Sequence, residues 1–218
     1  MVRLPAEGSI KIFINCPYDD KYEPIFRAII FTIIANGFMP VCAKEKSGAD
    51  TRLDKILEMI QECIYGIHDI SRTQIDKHTG LPRFNPPFEL GLSIGCKAFG
   101  RGDQRTKDFL ILDSKEYRFR ESISDLSGSD PSSHNNNPEK VLQIVNNWLG
   151  QKRIKESRNQ KDYIGSASIV GYYQEFLVDF PELCSQSNAD INHLAHHELV
   201  LLTSNWLKNR KKIKYRKK

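Results

Sequence analysis

Apolar positions in the first half of the chain follow two alternating rhythms. Short runs rich in β-branched and aromatic residues recur at 10–15 (IKIFIN), 38–43 (FMPVCA), 65–70 (YGIHDI) and 107–113 (KDFLILD). Each reads as a strand, because such side chains fit a pleated, buried surface. Helical periods lie between them. Residues 22–36 are apolar on most sides and stop at Gly37, a residue suited to the left-handed position after a helix. Residues 51–64 set Leu53, Ile56, Leu57, Ile60 and Ile64 on one stripe against Arg52, Lys55, Glu58 and Glu62, with Asp50 as the expected N-cap. A polar loop over 71–84 leads to Asn85-Pro86-Pro87, which opens a helix over 88–99. Asn85 is the expected cap there, and Pro86 suits a first helical position.

Four strands alternating with helices predict an α/β fold of flavodoxin-like topology. It has a parallel sheet in the order 2-1-3-4, room for a fifth strand, and helices on both faces. That order reverses between strands one and three. A ligand then sits outside their carboxyl ends, at residues 16–20 and 69–72. The second half reads differently. Residues 122–137 (SISDLSGSDPSSHNNN) form a polar loop or lid, 138–149 a helix, and 150–162 a charged linker. Two amphipathic helices follow over 166–180 and 190–209. The expected plan is an α/β domain at 1–121, the loop at 122–137, a helical region at 138–209 and a basic tail at 210–218.

Charge and cysteine content narrow the classes. The formal net charge is +5, but residues 208–218 (KNRKKIKYRKK) hold eight Lys/Arg and no acid. Without those eight, 24 basic residues stand against 27 acidic ones, so the body is slightly acidic. Nucleic-acid binding is therefore a property expected of the tail alone, through non-specific attraction. No run approaches the roughly 20 apolar residues of a membrane span. The N-terminus lacks a signal-peptide core, and five cysteines without a CxxC pair suit a reducing compartment, so cytoplasmic residence is expected. There is no GxGxxG, Walker loop or Gly-x-Ser-x-Gly elbow, and no cofactor is called for. His193, His196, His197 and Glu198 look like a metal cluster, yet neighbouring helical positions point to different faces, so no metal is expected.

Glu89 is the sharpest chemical candidate. It is a lone carboxylate in the apolar run Pro-Pro-Phe-Glu-Leu-Gly-Leu, at the expected first turn of a helix. Orphan amides there favour its ionised form, which can attack an anomeric carbon or stabilise an oxocarbenium ion. A first-turn acid serving the dipole alone is the plain alternative. Asp69 ends the third strand on the ligand edge, where it can bond a base or ribose, act as a general acid, or simply hold loop amides. Arg72 follows and can meet a phosphate or carboxylate through its planar fork. Cys16, Pro17, Tyr18 and Asp19 lie on the same edge. Tyr18 offers a stacking ring, Asp19 or Asp20 can accept from a sugar hydroxyl, and Asp20 can instead cap the helix near Tyr22. Gly91 and Gly95, four residues apart, let the Glu89 helix pack closely on the sheet.

Phe13-Ile14-Asn15 with Pro17 and Tyr18, then Ile67-His68-Asp69, then Phe88-Glu89-Leu90-Gly91 together resemble the nucleoside 2-deoxyribosyltransferase family and its relatives, the TIR domains. The resemblance covers about half the chain. It implies that Glu89 is a nucleophile toward C1′, that Asp69 handles the leaving base, and that Asn85 orients the sugar, with Phe88 beside it. It implies a nucleoside, nucleotide or NAD-like ligand and a homo-oligomer whose C-terminal helices serve dimerisation. The long loop over 71–85, and Arg83 where the transferase pattern more often has an acid, depart from that family and leave two readings. One is an enzyme that cleaves or transfers an N-glycosidic bond. The other is a nucleotide-sensing module without chemistry.

Overall fold

A computed structural model of the chain describes residues 8–43, 51–73, 75, 80–121, 123–126, 129–156 and 163–216, with 211–216 described through their backbone alone. The elements run β1 (Lys11–Asn15), α1 (Glu23–Ala35), β2 (Met39–Cys42), α2 (Arg52–Glu62), β3 (Tyr65–Asp69), α3 (Asn85–Phe99), β4 (Asp108–Asp113), β5 (Ser132–Ser133), α4 (Pro138–Lys155), α5 (Ser166–Gln186) and α6 (His196–Arg216). The strands form one sheet in the order β2-β1-β3-β4-β5. β1 and β3 pair in parallel, as do β3 and β4, with Ile14 beside Ile67 and Ile67 beside Leu110. The fold is flavodoxin-like α/β, as the alternation of elements predicts.

The fifth strand lies inside the segment expected to be a loop or lid. It pairs in parallel with β4, and the His134 amide donates to Asp113 O at 2.9 Å. Two residues are too few for periodicity to reveal a strand. The chain divides into two compact units that are not consecutive in sequence, one of residues 11–23 and 41–137, the other of 1–10, 24–40 and 138–218.

In the first unit, α2 and α3 cover Phe13. The stripe that α2 buries is Ile56, Met59 and Ile60, continued by Cys63. Leu53 and Leu57, expected in that stripe, are each 42% exposed. The cap of α2 is Thr51, whose hydroxyl accepts from the Asp54 amide while the Asp54 side chain accepts from the Thr51 amide. Asp50 lies outside the described residues. At the other end of α2, the fully buried Lys107 donates through Nζ to Ile60 O at 2.5 Å and to Cys63 O. A cation on C-terminal carbonyls suits the helix dipole, and burial pushes its pKa down.

Helix α3 begins three residues earlier than expected, and Asn85 is its first residue rather than its cap. Phe84 holds the cap position without a side-chain bond. A capping side chain there would reach the second and third amides, and those belong to Pro86 and Pro87, which have no N–H. The Phe88 amide bonds back to Phe84 O at 3.0 Å instead. Gly91 and Gly95 do not mediate close packing: a Cβ added at either meets nothing within 4 Å.

The second unit gathers α1 with α4, α5 and α6. Gly37 takes φ 79°, with its amide on Ile34 O and that of Phe38 on Ile33 O, the stop expected from sequence. The Phe31 ring packs at 5.2 Å from both Tyr173 and Phe176 and at 6.0 Å from Trp206. Helix α4 outruns its predicted end and carries part of the expected linker, because Lys152 and Arg153 are buried. Arg153 donates to Asn36 O at 2.6 Å. Helix α5 passes through Pro181, beyond its expected stop at 180, with Phe180 and Cys184 buried on either side.

Helix α6 starts at His196 rather than 190 and runs through Arg216, so most of the expected tail continues a helix. Asp190 instead makes a turn, accepting from the Asn192 amide at 2.9 Å. Arg210 is held by the Glu175 carboxylate and lies 3.8 Å over the Tyr172 ring. Among the described residues no helix is long and apolar enough to cross a membrane.

Candidate functional site

The carboxyl edge of the sheet is organised from Asn15, the last residue of β1. Its buried side chain donates to Pro86 O at 2.8 Å and stands 3.0 Å from His68 Nδ1. His68 is fully buried between the Phe13 and Phe109 rings, at 5.8 and 5.4 Å. Burial, reinforced by the Lys107 charge, lowers its pKa to about 3, so the ring is neutral. Gly66 makes room for it, since a Cβ there would stand 2.9 Å from His68 Nε2. One amide side chain thus ties β1 and β3 to the first turn of α3, and Glu89 follows a turn later.

Glu89 is 6% exposed. Its environment reverses the expected preference for the ionised form: burial raises its pKa to about 7, and the Arg52 charge opposes this only in part. Because α3 starts at Asn85, Glu89 is the fifth helical residue and lies past the orphan amides of the terminus. Among the described residues none hydrogen-bonds its carboxyl group. Besides Arg52 at the start of α2, it is coupled electrostatically to Tyr18 on the loop after β1. Burial, then Cys16, Cys42 and Glu89, hold the Tyr18 phenol well above the ordinary tyrosine value. The Tyr18 hydroxyl donates to Ile14 O at 3.3 Å. Cys16 and Cys42 are buried, as is Pro17.

Asp69 is fully buried and fully engaged. Oδ2 accepts from the Tyr22 hydroxyl at 2.6 Å and Oδ1 from the Ser71 amide at 2.8 Å. His134 Nε2 lies 3.0 Å from Oδ2, out of line for a directed hydrogen bond, so it contributes as a close electrostatic contact. The Asn136 amide donates to His134 Nδ1 at 3.0 Å, so that nitrogen is an acceptor and the ring's N–H is on Nε2. Burial and the Asp69 charge keep the Tyr22 phenol protonated. Successive strand residues point to opposite faces. His68 and Ile70 face the side that α3 covers, so the Asp69 side chain points to the other. Glu89 is thus coupled to Tyr18, while the polar partners of Asp69 are Tyr22, Ser71 and His134.

The remaining candidates separate further. Arg72 forks onto Asp19, with Nε 3.2 Å from Oδ2 and Nη2 3.3 Å from Oδ1. Asp19, not Asp20, takes the Tyr22 amide, at 3.1 Å. Asn85 is exposed, and Phe88 is 54% exposed on the turn that carries Glu89. Arg118 braces the loop after β3, bonding Ile70 O, Thr73 Oγ1 and the buried Asp113. His134, in the segment expected to be a loop or lid, lies buried beside Asp69. Sequence reasoning missed Arg52 and Cys42. Arg52 had one visible signal, a cation at the first position of a helix, against the dipole. Cys42 followed from the strand order, which sets β2 beside β1.

His193 pairs with Asp190 at 2.9 Å while His196 meets Pro40 O at 3.3 Å, and among the described residues no group of three His, Cys, Asp or Glu can hold a metal ion. No family model, curated protein or solved structure matches this chain.

Proposed function

We infer that the Glu89 corner breaks or transfers the N-glycosidic bond of a nucleoside, nucleotide or NAD-like ligand. One observation carries this reading: a nearly buried carboxyl group, with no hydrogen-bond partner among the described residues, whose pKa of about 7 puts both protonation states within reach at neutrality. A desolvated carboxylate is also a stronger nucleophile than a solvated one.

In the reaction, Glu89 Oε attacks C1′ and a C–O bond forms as the C1′–N bond breaks. The bonding pair leaves on the base nitrogen; a purine or pyrimidine takes a proton there from water, whereas nicotinamide departs neutral and needs none. Water or a second base then displaces the glycosyl ester, giving hydrolysis or transfer. Phe88 offers an exposed ring to the base, and Asp69 keeps the edge in shape rather than touching it.

Product analysis by liquid chromatography tests this, with wild type and Glu89→Gln incubated separately with NAD and a panel of nucleosides and nucleotides. Free base or nicotinamide should appear with wild type only. For a nucleophile, kcat/KM should climb with pH through about 7 as Glu89 ionises; a falling limb there would sink the attacking role.

A second reading, nucleotide sensing without turnover, draws on a specific observation. Glycoside chemistry commonly uses two carboxylates, and here Asp69 is saturated and Asp19 is paired with Arg72. Binding that survives Glu89→Gln, without product from wild type, would establish that reading.

A further inference from the structure

Two guanidinium groups share one carboxylate on the loops that follow β1 and β3. Arg72 holds Asp19 through both oxygens, and Arg83 Nη1 stands 3.4 Å from Oδ2. The side chains of Arg72 and Asp19 are about three-quarters buried, whereas that of Arg83 is 48% exposed. One anion against two cations leaves a positive charge in excess at the switch point, where open α/β sheets receive ligands. Among the described residues Arg83 bonds nothing else, so most of its fork is uncommitted. Tyr18, which feels the Glu89 charge, is the residue before Asp19. Consecutive Cα atoms are about 3.8 Å apart, so the loop after β1 sets Tyr18 beside the carboxylate that the arginine pair shares.

We propose that Arg72 and Arg83 form a phosphate site in which Asp19 is the resident counter-ion, and that the ligand of the Glu89 corner carries a phosphate. The choice of a phosphorylated ligand rests on the reading of that corner given above; the phosphate site itself stands on the arginine geometry. A phosphate takes the open side of the Arg83 fork, and the long Arg83–Asp19 contact yields first. Asp19 stays on the Tyr22 amide and on Arg72. Asp19 therefore competes with the incoming anion, and this distinguishes a ligand site from a structural ion pair.

Wild type, Arg83→Gln and Asp19→Asn are titrated with inorganic phosphate at fixed ionic strength, by calorimetry or 31P line broadening. Arg83→Gln should weaken phosphate binding roughly tenfold or more, the scale of a charge-assisted bond. Asp19→Asn, which keeps an acceptor for the Tyr22 amide, should tighten it severalfold. Equal binding by all three proteins, no binding by any, or weaker binding by Asp19→Asn overturns the site.

The same proteins are then compared on adenosine and adenosine 5′-monophosphate. Base release from both at equal rates, unaffected by Arg83→Gln, would overturn the phosphate preference and leave the chemistry standing. Phosphate binding that follows the predicted order without base release from any nucleotide would uphold the site and defeat the chemistry.

Discussion

Two buried carboxyl groups at the carboxyl edge of one sheet are treated in opposite ways. Asp69 has every oxygen occupied, by a phenol, an amide and an imidazole edge. Glu89 is as nearly hidden but has no hydrogen-bond partner among the described residues, and burial raises its pKa to about 7. A buried charge with partners is architecture, and its removal exposes their own unmet needs. A buried acid without them is a standing cost, and such costs gather where a site needs a group poised between two states. Burial does not tell the two apart. The bonding census does.

The largest effect that could break the comparison is on turnover. Glu89→Gln should lower base release by roughly 10²–10⁴-fold or more, because the amide cannot replace the attacking carboxylate, read as the rate on the substrate that product analysis identifies. Asp69→Ala should act instead on stability, costing about 3–5 kcal/mol in urea unfolding, because Tyr22 and His134 lose the group that they surround. A loss under 1 kcal/mol would mean that Asp69 is not the keystone of that edge.

Next in size is a gain. Because burial raises the Glu89 pKa, the folded state binds more protons than the unfolded one between the ordinary 4.5 and about 7. Stability from this group therefore falls as pH rises through that window and stays low above it. Glu89→Gln has no such penalty. It should match wild type below pH 4.5 and exceed it above pH 7 by on the order of 1–3 kcal/mol, the upper end being reduced by the solvent that reaches the carboxyl edge. Urea midpoints at pH 4 and pH 8 read this directly. An inactive variant that is also more stable would mark Glu89 as a residue kept at the expense of stability, and equal midpoints at pH 8 would remove that argument.

Much of this architecture was legible in the sequence. β-branched runs located four strands, Gly37 ended α1, and strand order alone pointed to the loops after β1 and β3. The Glu89 helix was found, but the state of its acid was not. The two prolines deny amides to a cap, so α3 starts earlier and carries Glu89 past the terminal dipole into a desolvated corner. Asp69 shows a subtler limit. Its partner His134 lies far along the chain, directly after a two-residue strand that no period reveals, so the bonding that saturates it could not be read. Its direction could have been: with His68 and Ile70 on the face that a covering helix buries, strand alternation turns Asp69 away. The α2 stripe failed for a third reason. Helical spacing allowed Leu53 and Leu57 as well as Met59, and only tertiary packing chose among them.

Two glycines sharpen the contrast at the smallest scale. Gly66 precedes His68 on the Asp69 strand, where an added Cβ would stand 2.9 Å from His68 Nε2 and 3.2 Å from Phe109 Cδ1. Gly66→Ala must displace a ring that Asn15 holds in place, so it should destabilise by about 1–3 kcal/mol, as overpacking does. Gly91 follows Glu89 by two residues on α3, and a Cβ there meets nothing within 4 Å. Gly91→Ala should stabilise by about 0.5–1 kcal/mol through helix propensity and the lost freedom of the unfolded chain. Thermal unfolding of both variants, with base release measured alongside, sets the two regions against each other. The saturated edge has no slack, so even a methyl group costs. If Gly91→Ala gains its increment and keeps full activity, then the strain beside Glu89 is confined to the acid itself. If it gains stability but loses turnover, the open face of α3 at Gly91 is occupied in the working protein, and the site extends past the corner that holds Glu89.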